Sequence, residues 1–134
     1  VPALPFEYAV VRVVPLVERE EFVNAGLLLF CEGSGLLTVR LELDEARLLA
    51  LAPDVDLDLV RTHLATLAPI CRGGPEGGPI GLLPVRERWR WLVAPRSTIL
   101  QTSAPHGGLA EDPDAVAERV MDRVVRRRRA PRDT

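Results

Sequence analysis

At 134 residues, with 47% hydrophobic and 27% charged side chains, the chain has the size and balance of one globular domain with its own core. A net charge of −2 excludes a molecule that draws in nucleic acid by bulk charge. Two cysteines and two histidines in no ligand-like spacing argue against a metal site, and a chain this long needs no disulfide or metal staple.

Phe6 to Val14, FEYAVVRVV, is β-branched and apolar on both faces, as in a central strand, and Pro15 ends it. Val17–Asn24 is polar and short, a loop or a helical turn. Gly26–Cys31 is a second buried-type strand, with Cys31 a small hydrophobe in the run Leu27-Leu28-Leu29-Phe30-Cys31. Glu32-Gly33-Ser34-Gly35 is a turn signal. Leu36–Leu43 then alternates, with Leu37, Val39, Leu41 and Leu43 on one face and Leu36, Thr38, Arg40 and Glu42 on the other. The whole reads as a β-hairpin with one face packed and the other partly wet.

Asp44 is placed to cap a short helix through about Leu51. Asp54 or Asp56 caps a second to about Ala68, with Leu57, Val60, Leu64 and Leu67 on one stripe. Pro69 and Gly73-Gly74-Pro75-Glu76-Gly77-Gly78-Pro79 predict a long flexible loop. Val85–Val93, VRERWRWLV, alternates as a strand would, putting Arg86, Arg88 and Arg90 on one face. Ser97–Thr102 is another strand candidate, and Ser103–Leu109 a Pro/Gly-rich turn. Asp112 and Pro113 open the last helix, whose stripe is Val116, Val120, Met121 and Val124. The expected architecture is α+β: a mostly antiparallel sheet of about five strands, with two to three helices packed on one face and the C-terminal helix closing the core. Residues 1–125 form the single domain, and 126–134 a basic tail expected to be disordered. With no signal peptide and no apolar run of membrane-spanning length, the expected location is the cytoplasm, with no membrane contact.

Every one of the 17 basic residues is arginine, which points to a GC-rich genome before it points to function. The charge is unevenly placed: residues 1–69 hold five Arg and eleven acids, residues 70–134 twelve Arg and eight acids. Three stretches carry candidate chemistry. Glu20, Glu21 and Asn24 precede a buried strand, where two carboxylates could divide acid and base roles; the plainer expectation is that one of them pairs with Arg12. Arg96, Ser97, Thr98, Gln101, Ser103 and His106 gather a guanidinium, hydroxyls, an amide and an imidazole, a set suited to a phosphate or carboxylate. No Gly-x-Ser-x-Gly elbow supports a serine nucleophile. Arg86, Arg88 and Arg90, repeating every ~6.6 Å along a strand, could follow nucleic-acid phosphates, with Trp89 stacking on bases.

Tyr8-Ala9-Val10-Val11-Arg12-Val13-Val14-Pro15, then Glu21-Phe22-Val23-Asn24-Ala25-Gly26-Leu27-Leu28-Leu29, then Trp91 through Ser103, Gly108-Leu109 and Asp112-Pro113, resemble the DUF3037 family over about residues 6–125. That is a bacterial family of small proteins without an established activity. Its members are often encoded beside a HipA-like kinase, so the resemblance implies a protein partner and no agreed catalytic residue. No cofactor is expected. Residues 44–84 carry no motif of the resemblance.

Three readings follow. The favoured one is an accessory module for a protein partner, such as a HipA-like kinase. The second is a small-ligand or phosphate-binding domain, or an enzyme, whose site joins residues 20–24 to 96–106. The third is a nucleic-acid binder using the arginine ladder and tail. Strand order and oligomeric state are not readable.

Overall fold

The computed structural model describes residues 2–126. Leu4–Val13 (β1) is the centre of the sheet, and its two sides differ. On one side it pairs antiparallel with Val23–Cys31 (β2), which pairs in turn with Leu36–Leu41 (β3). On the other it pairs with two short strands in line: Leu100–Thr102 (β4) opposite Val11–Val13, and His106–Ala110 (β5) opposite Leu4–Tyr8. A bulge interrupts the β1–β2 register. Val11 lies opposite Gly26 and Arg12 opposite Asn24, so Ala25 is the extra residue. A Cβ on Gly26 would lie 2.4 Å from the Arg40 carbonyl oxygen, so only glycine fits there.

The gap between β4 and β5 is closed by Ser103. Its N–H donates to the Val10 carbonyl (2.9 Å), and its Oγ accepts the Val10 N–H (2.8 Å). A side-chain oxygen thus replaces the backbone carbonyl that a regular ladder would supply, and Val10 keeps both bonds.

Both faces of the sheet carry a hydrophobic core. Ala9, Val11, Val13, Leu28 and Phe30 point to one face, against Leu48, Val60, Leu64, Ile70, Trp89 and Leu92. These come from Glu45–Leu51 (α1), Leu57–Leu64 (α2), Leu67–Arg72 (α3) and Val85–Val93 (α5); a single turn, Gly78–Gly81 (α4), lies between the last two. Phe6, Val10, Leu27, Leu29 and Cys31 point to the other face, against Ala117, Val120 and Met121 of Pro113–Val124 (α6). The strand period of two sorts each strand's side chains between these two cores. Asp44, Asp56 and Asp112 cap α1, α2 and α6 through amides of Arg47, Leu59 and Ala115.

The α+β class and the five-stranded antiparallel sheet agree with expectation. Among the described residues the helices are more numerous: five besides the α4 turn, with α6 alone on its face. Val85–Val93 is helical, a correction to the strand reading. Its Val85, Trp89 and Leu92 also fit i, i+4, i+7, and the core takes up that spacing. The glycine-rich stretch is ordered into helical turns, with Gly73, Gly74 and Gly78 at positive φ. Ser97–Thr102 is strand only from Leu100, and the predicted turn at Ser103–Leu109 contains β5.

Helix α6 is fastened by arginines. Arg40 pairs with Glu118 (2.8 Å) and Asp114 (3.1 Å); Arg126 pairs with Glu118, Asp122 and Glu42 at 2.8, 2.8 and 3.2 Å. Asn24 Nδ2 donates to the Val124 carbonyl at the helix end (2.9 Å). Arg126, the first residue assigned to the tail, is thus tied to the domain; the rest of that tail, 127–134, lies outside the described residues.

Candidate functional site

Helix α5 stops because Pro95 pushes Ala94 into extended backbone (φ −62°, ψ 136°). The chain then doubles back. The Arg96 guanidinium carbon lies 4.3 Å from the centroid of the Trp91 ring, and Arg96 Nη2 donates to the Trp91 carbonyl. Stacking and a carbonyl at the helix end both favour the cation. Thr98 Oγ1 donates to the Leu100 carbonyl (2.7 Å) and Gln101 Nε2 to the Thr98 carbonyl (3.1 Å), which shapes the loop leading into β4.

Between this loop, the sheet and the α2–α3 junction lies a cavity of about 130 Å³. Its lining includes the buried Val11, Leu28 and Leu92, with Leu67 and Leu100. The exposed or half-buried residues around them are His63, Thr66, Trp91, Arg96, Thr98, Gln101 and Thr102. No aspartate or glutamate is among them. Burial pulls the Arg96 pKa below the ordinary guanidinium value, and no carboxylate pairs with Arg96 among the described residues. The His63 imidazole and the Thr102 hydroxyl likewise have no hydrogen-bond partner among the described residues. Thr66 Oγ1 is committed to the His63 carbonyl (2.7 Å).

The first polar stretch lies elsewhere. Glu20 is exposed and ends a short helical turn in the left-handed region, φ 56°. Glu21 pairs with Arg19 rather than with Arg12, in a small cleft beside Leu51 and Ala52. Arg12 instead lies under the Phe22 ring, 4.2 Å from its centroid. Asn24, Arg12 and Gln101 are aligned across β2, β1 and β4, where Arg12 Nε and Asn24 Oδ1 are buried without a hydrogen-bond partner among the described residues. Arg12 alternates with Val11, so Arg12 lies on the α6 face, as does Asn24 through its bond to the Val124 carbonyl, while Val11 borders the cavity and Gln101, at the end of the row, contributes to its lining. Among the predicted residues, Arg96, Thr98 and Gln101 line the cavity, and Glu20, Glu21, Asn24 and Arg12 do not. Ser97 is exposed. Ser103 is buried, with its hydroxyl donating to the Ala104 carbonyl (3.0 Å) while it accepts from Val10. His106 stacks on Tyr8 across the β1–β5 pair, centroids 5.2 Å apart.

The arginine ladder is corrected with the strand that carried it. On a helix, residues two apart point to nearly opposite sides. Arg86 pairs with Glu32, and Arg90 is exposed. Arg88 closes the end of α3 by donating to the Ile70 (2.8 Å) and Cys71 (2.7 Å) carbonyls. Trp89 is buried, donates to Glu7 Oε2 (2.7 Å) and stacks on Phe30.

Sequence reasoning missed His63, Thr66, Trp91 and Thr102. Thr102 sits in the polar stretch that was singled out, and Trp91 precedes Arg96 by five residues, a stacking distance across a helix end. Nothing local marks His63 or Thr66, because only the folded chain brings the end of α2 to β4. Burial pushes the Cys71 thiol up to about 12, so it behaves as a core side chain. No cluster of three potential metal ligands occurs among the described residues. No described helix is long and apolar enough to cross a membrane.

Comparison with curated proteins finds no match, and neither does comparison with solved structures. The model of the DUF3037 family, a protein family of unknown function, matches residues 8–125, and the chain belongs to that family.

Proposed function

We propose that this domain binds a small anionic ligand in the cavity beside Arg96. The observation that carries the reading is an oriented guanidinium with no acid among the described residues to neutralise it, on a cavity whose described lining has no carboxylate. Arg61 and Arg126, by contrast, each have carboxylates within ion-pair distance. An unneutralised guanidinium presenting spare N–H groups is a ready acceptor of carboxylate or phosphate oxygens. Backbone-amide NMR titration with small carboxylates and inorganic phosphate tests this. Saturable shifts around Arg96 and Thr102, lost in R96Q, are expected; the absence of any saturable shift removes the reading.

A second reading is a protein-partner role, as for an accessory module of a HipA-like kinase. It is favoured by the connection between β1 and β2, where Leu16 (54%) and Phe22 (42%) are exposed and Arg12 beneath Phe22 has no acidic partner among the described residues. Co-purification with such a kinase, weakened by F22S, is the expected result. Unchanged co-purification with F22S would move the contact elsewhere.

A further inference from the structure

The distribution of polarity in the cavity says more than that an anion fits. Its deepest lining comes from core side chains, Val11, Leu28 and Leu92, each no more than 2% exposed. The donors with capacity to spare among the described residues lie around the opening: Arg96, the His63 imidazole and the Thr102 hydroxyl. Thr102 lies opposite Val11 in the β1–β4 register, so its side chain shares the face of the apolar lining and stands at its border. A ligand that satisfies both parts is charged at one end and apolar at the other.

Resting on the reading above, we infer that the ligand is a compact monocarboxylate, its carboxylate on Arg96 and its apolar body over Val11, Leu28 and Leu92. One N–H of Arg96 is used on the Trp91 carbonyl, which leaves others of its five donors for a planar carboxylate. The body must be small. A cavity of about 130 Å³ is close in size to one of about 150 Å³ that accommodates benzene. An inorganic phosphate would satisfy the opening and leave the apolar depth without contact. A long acyl chain would exceed the space.

The experiment is amide NMR titration of the full chain with benzoate, isobutyrate and inorganic phosphate at constant ionic strength. The expected result is saturable binding of one or both carboxylates, with shifts at Leu92, Arg96 and Thr102, and weaker or no binding of phosphate. R96Q should weaken carboxylate binding roughly 10- to 100-fold, the range for losing a hydrogen-bonded charge. Because R96Q also removes the bond to the Trp91 carbonyl, T102V serves as a second variant that keeps shape and lowers affinity several-fold. Phosphate binding as tightly as either carboxylate overturns the inference and leaves the anion-binding reading standing. No saturable binding of any probe overturns both. Unchanged carboxylate affinity in T102V and in folded R96Q overturns the placement of the head group.

Discussion

Arg126 and Arg96 are both arginines near the end of a helix, and they are held in opposite ways. Arg126 is surrounded by Glu42, Glu118 and Asp122, all supplied by the chain itself. Arg96 has an indole face and one backbone carbonyl, and no acid among the described residues. The first arrangement is electrically complete and fastens α6 to the sheet. The second leaves positive charge over a small cavity. In a chain whose only basic residue type beyond histidine is arginine, composition cannot separate these roles, and the acids nearby can. The contrast extends to the two sheet faces. One helix with a continuous apolar stripe covers the α6 face and leaves an open hollow beside Phe6, Leu109 and Val116, whereas several short helices cover the other and leave the Arg96 cavity where α2, α5 and β4 meet.

The largest effect is expected from opening the core beneath α5, the helix that leads into Arg96. Trp89→Ala should cost about 3–5 kcal/mol, read by chemical denaturation, because the side chain is buried against Phe30 and its indole N–H serves Glu7. If the helices over the cavity form a loosely coupled layer, the loss will be much smaller. Ser103→Ala should cost roughly 1–3 kcal/mol by leaving the Val10 amide unpaired, with faster hydrogen exchange at Val10. Glu20→Gly should gain about 1 kcal/mol in thermal denaturation, since a side chain disfavours the left-handed backbone found there. The smallest effect is expected from Arg126→Gln, which should shift the denaturation midpoint little and less still at high salt. Its signature lies in pH dependence. Hydrogen bonds from Arg126 and Arg40 hold the Glu118 carboxyl below its ordinary value. That contribution is present above the unfolded carboxyl pKa and is lost as pH falls through the lowered folded value. In R126Q the Glu118 titration, followed by carboxyl-carbon NMR, should move back toward the ordinary range.

Much of the fold was legible in local chemistry. The β2–β3 hairpin follows from an apolar run, a glycine turn and an alternating strand. Helix α6 follows from Asp112, Pro113 and a stripe ending at Val124. The α5 segment was not legible, because VRERWRWLV satisfies both a period of two and a period near 3.6. Tertiary packing settles such a conflict: Trp89 and Leu92 enter the core while Trp91 stays at the surface. The candidate site was half legible. Arg96, Thr98 and Gln101 were visible as a polar cluster, and His63 was not, since its proximity to β4 is long-range. Ser103 showed the polarity expected of a ligand contact, and the fold uses that polarity to complete a ladder.

The serine splice between β4 and β5 also governs how the sheet meets other chains. An unbroken outer strand from Leu100 to Ala110 would offer a long row of free amides and carbonyls to any passing β-strand. Ser103 instead turns its polar atoms inward to Val10, and Pro105 contributes no N–H. What remains outside is a three-residue strand, a break and a five-residue strand, too short and discontinuous to template edge-to-edge aggregation.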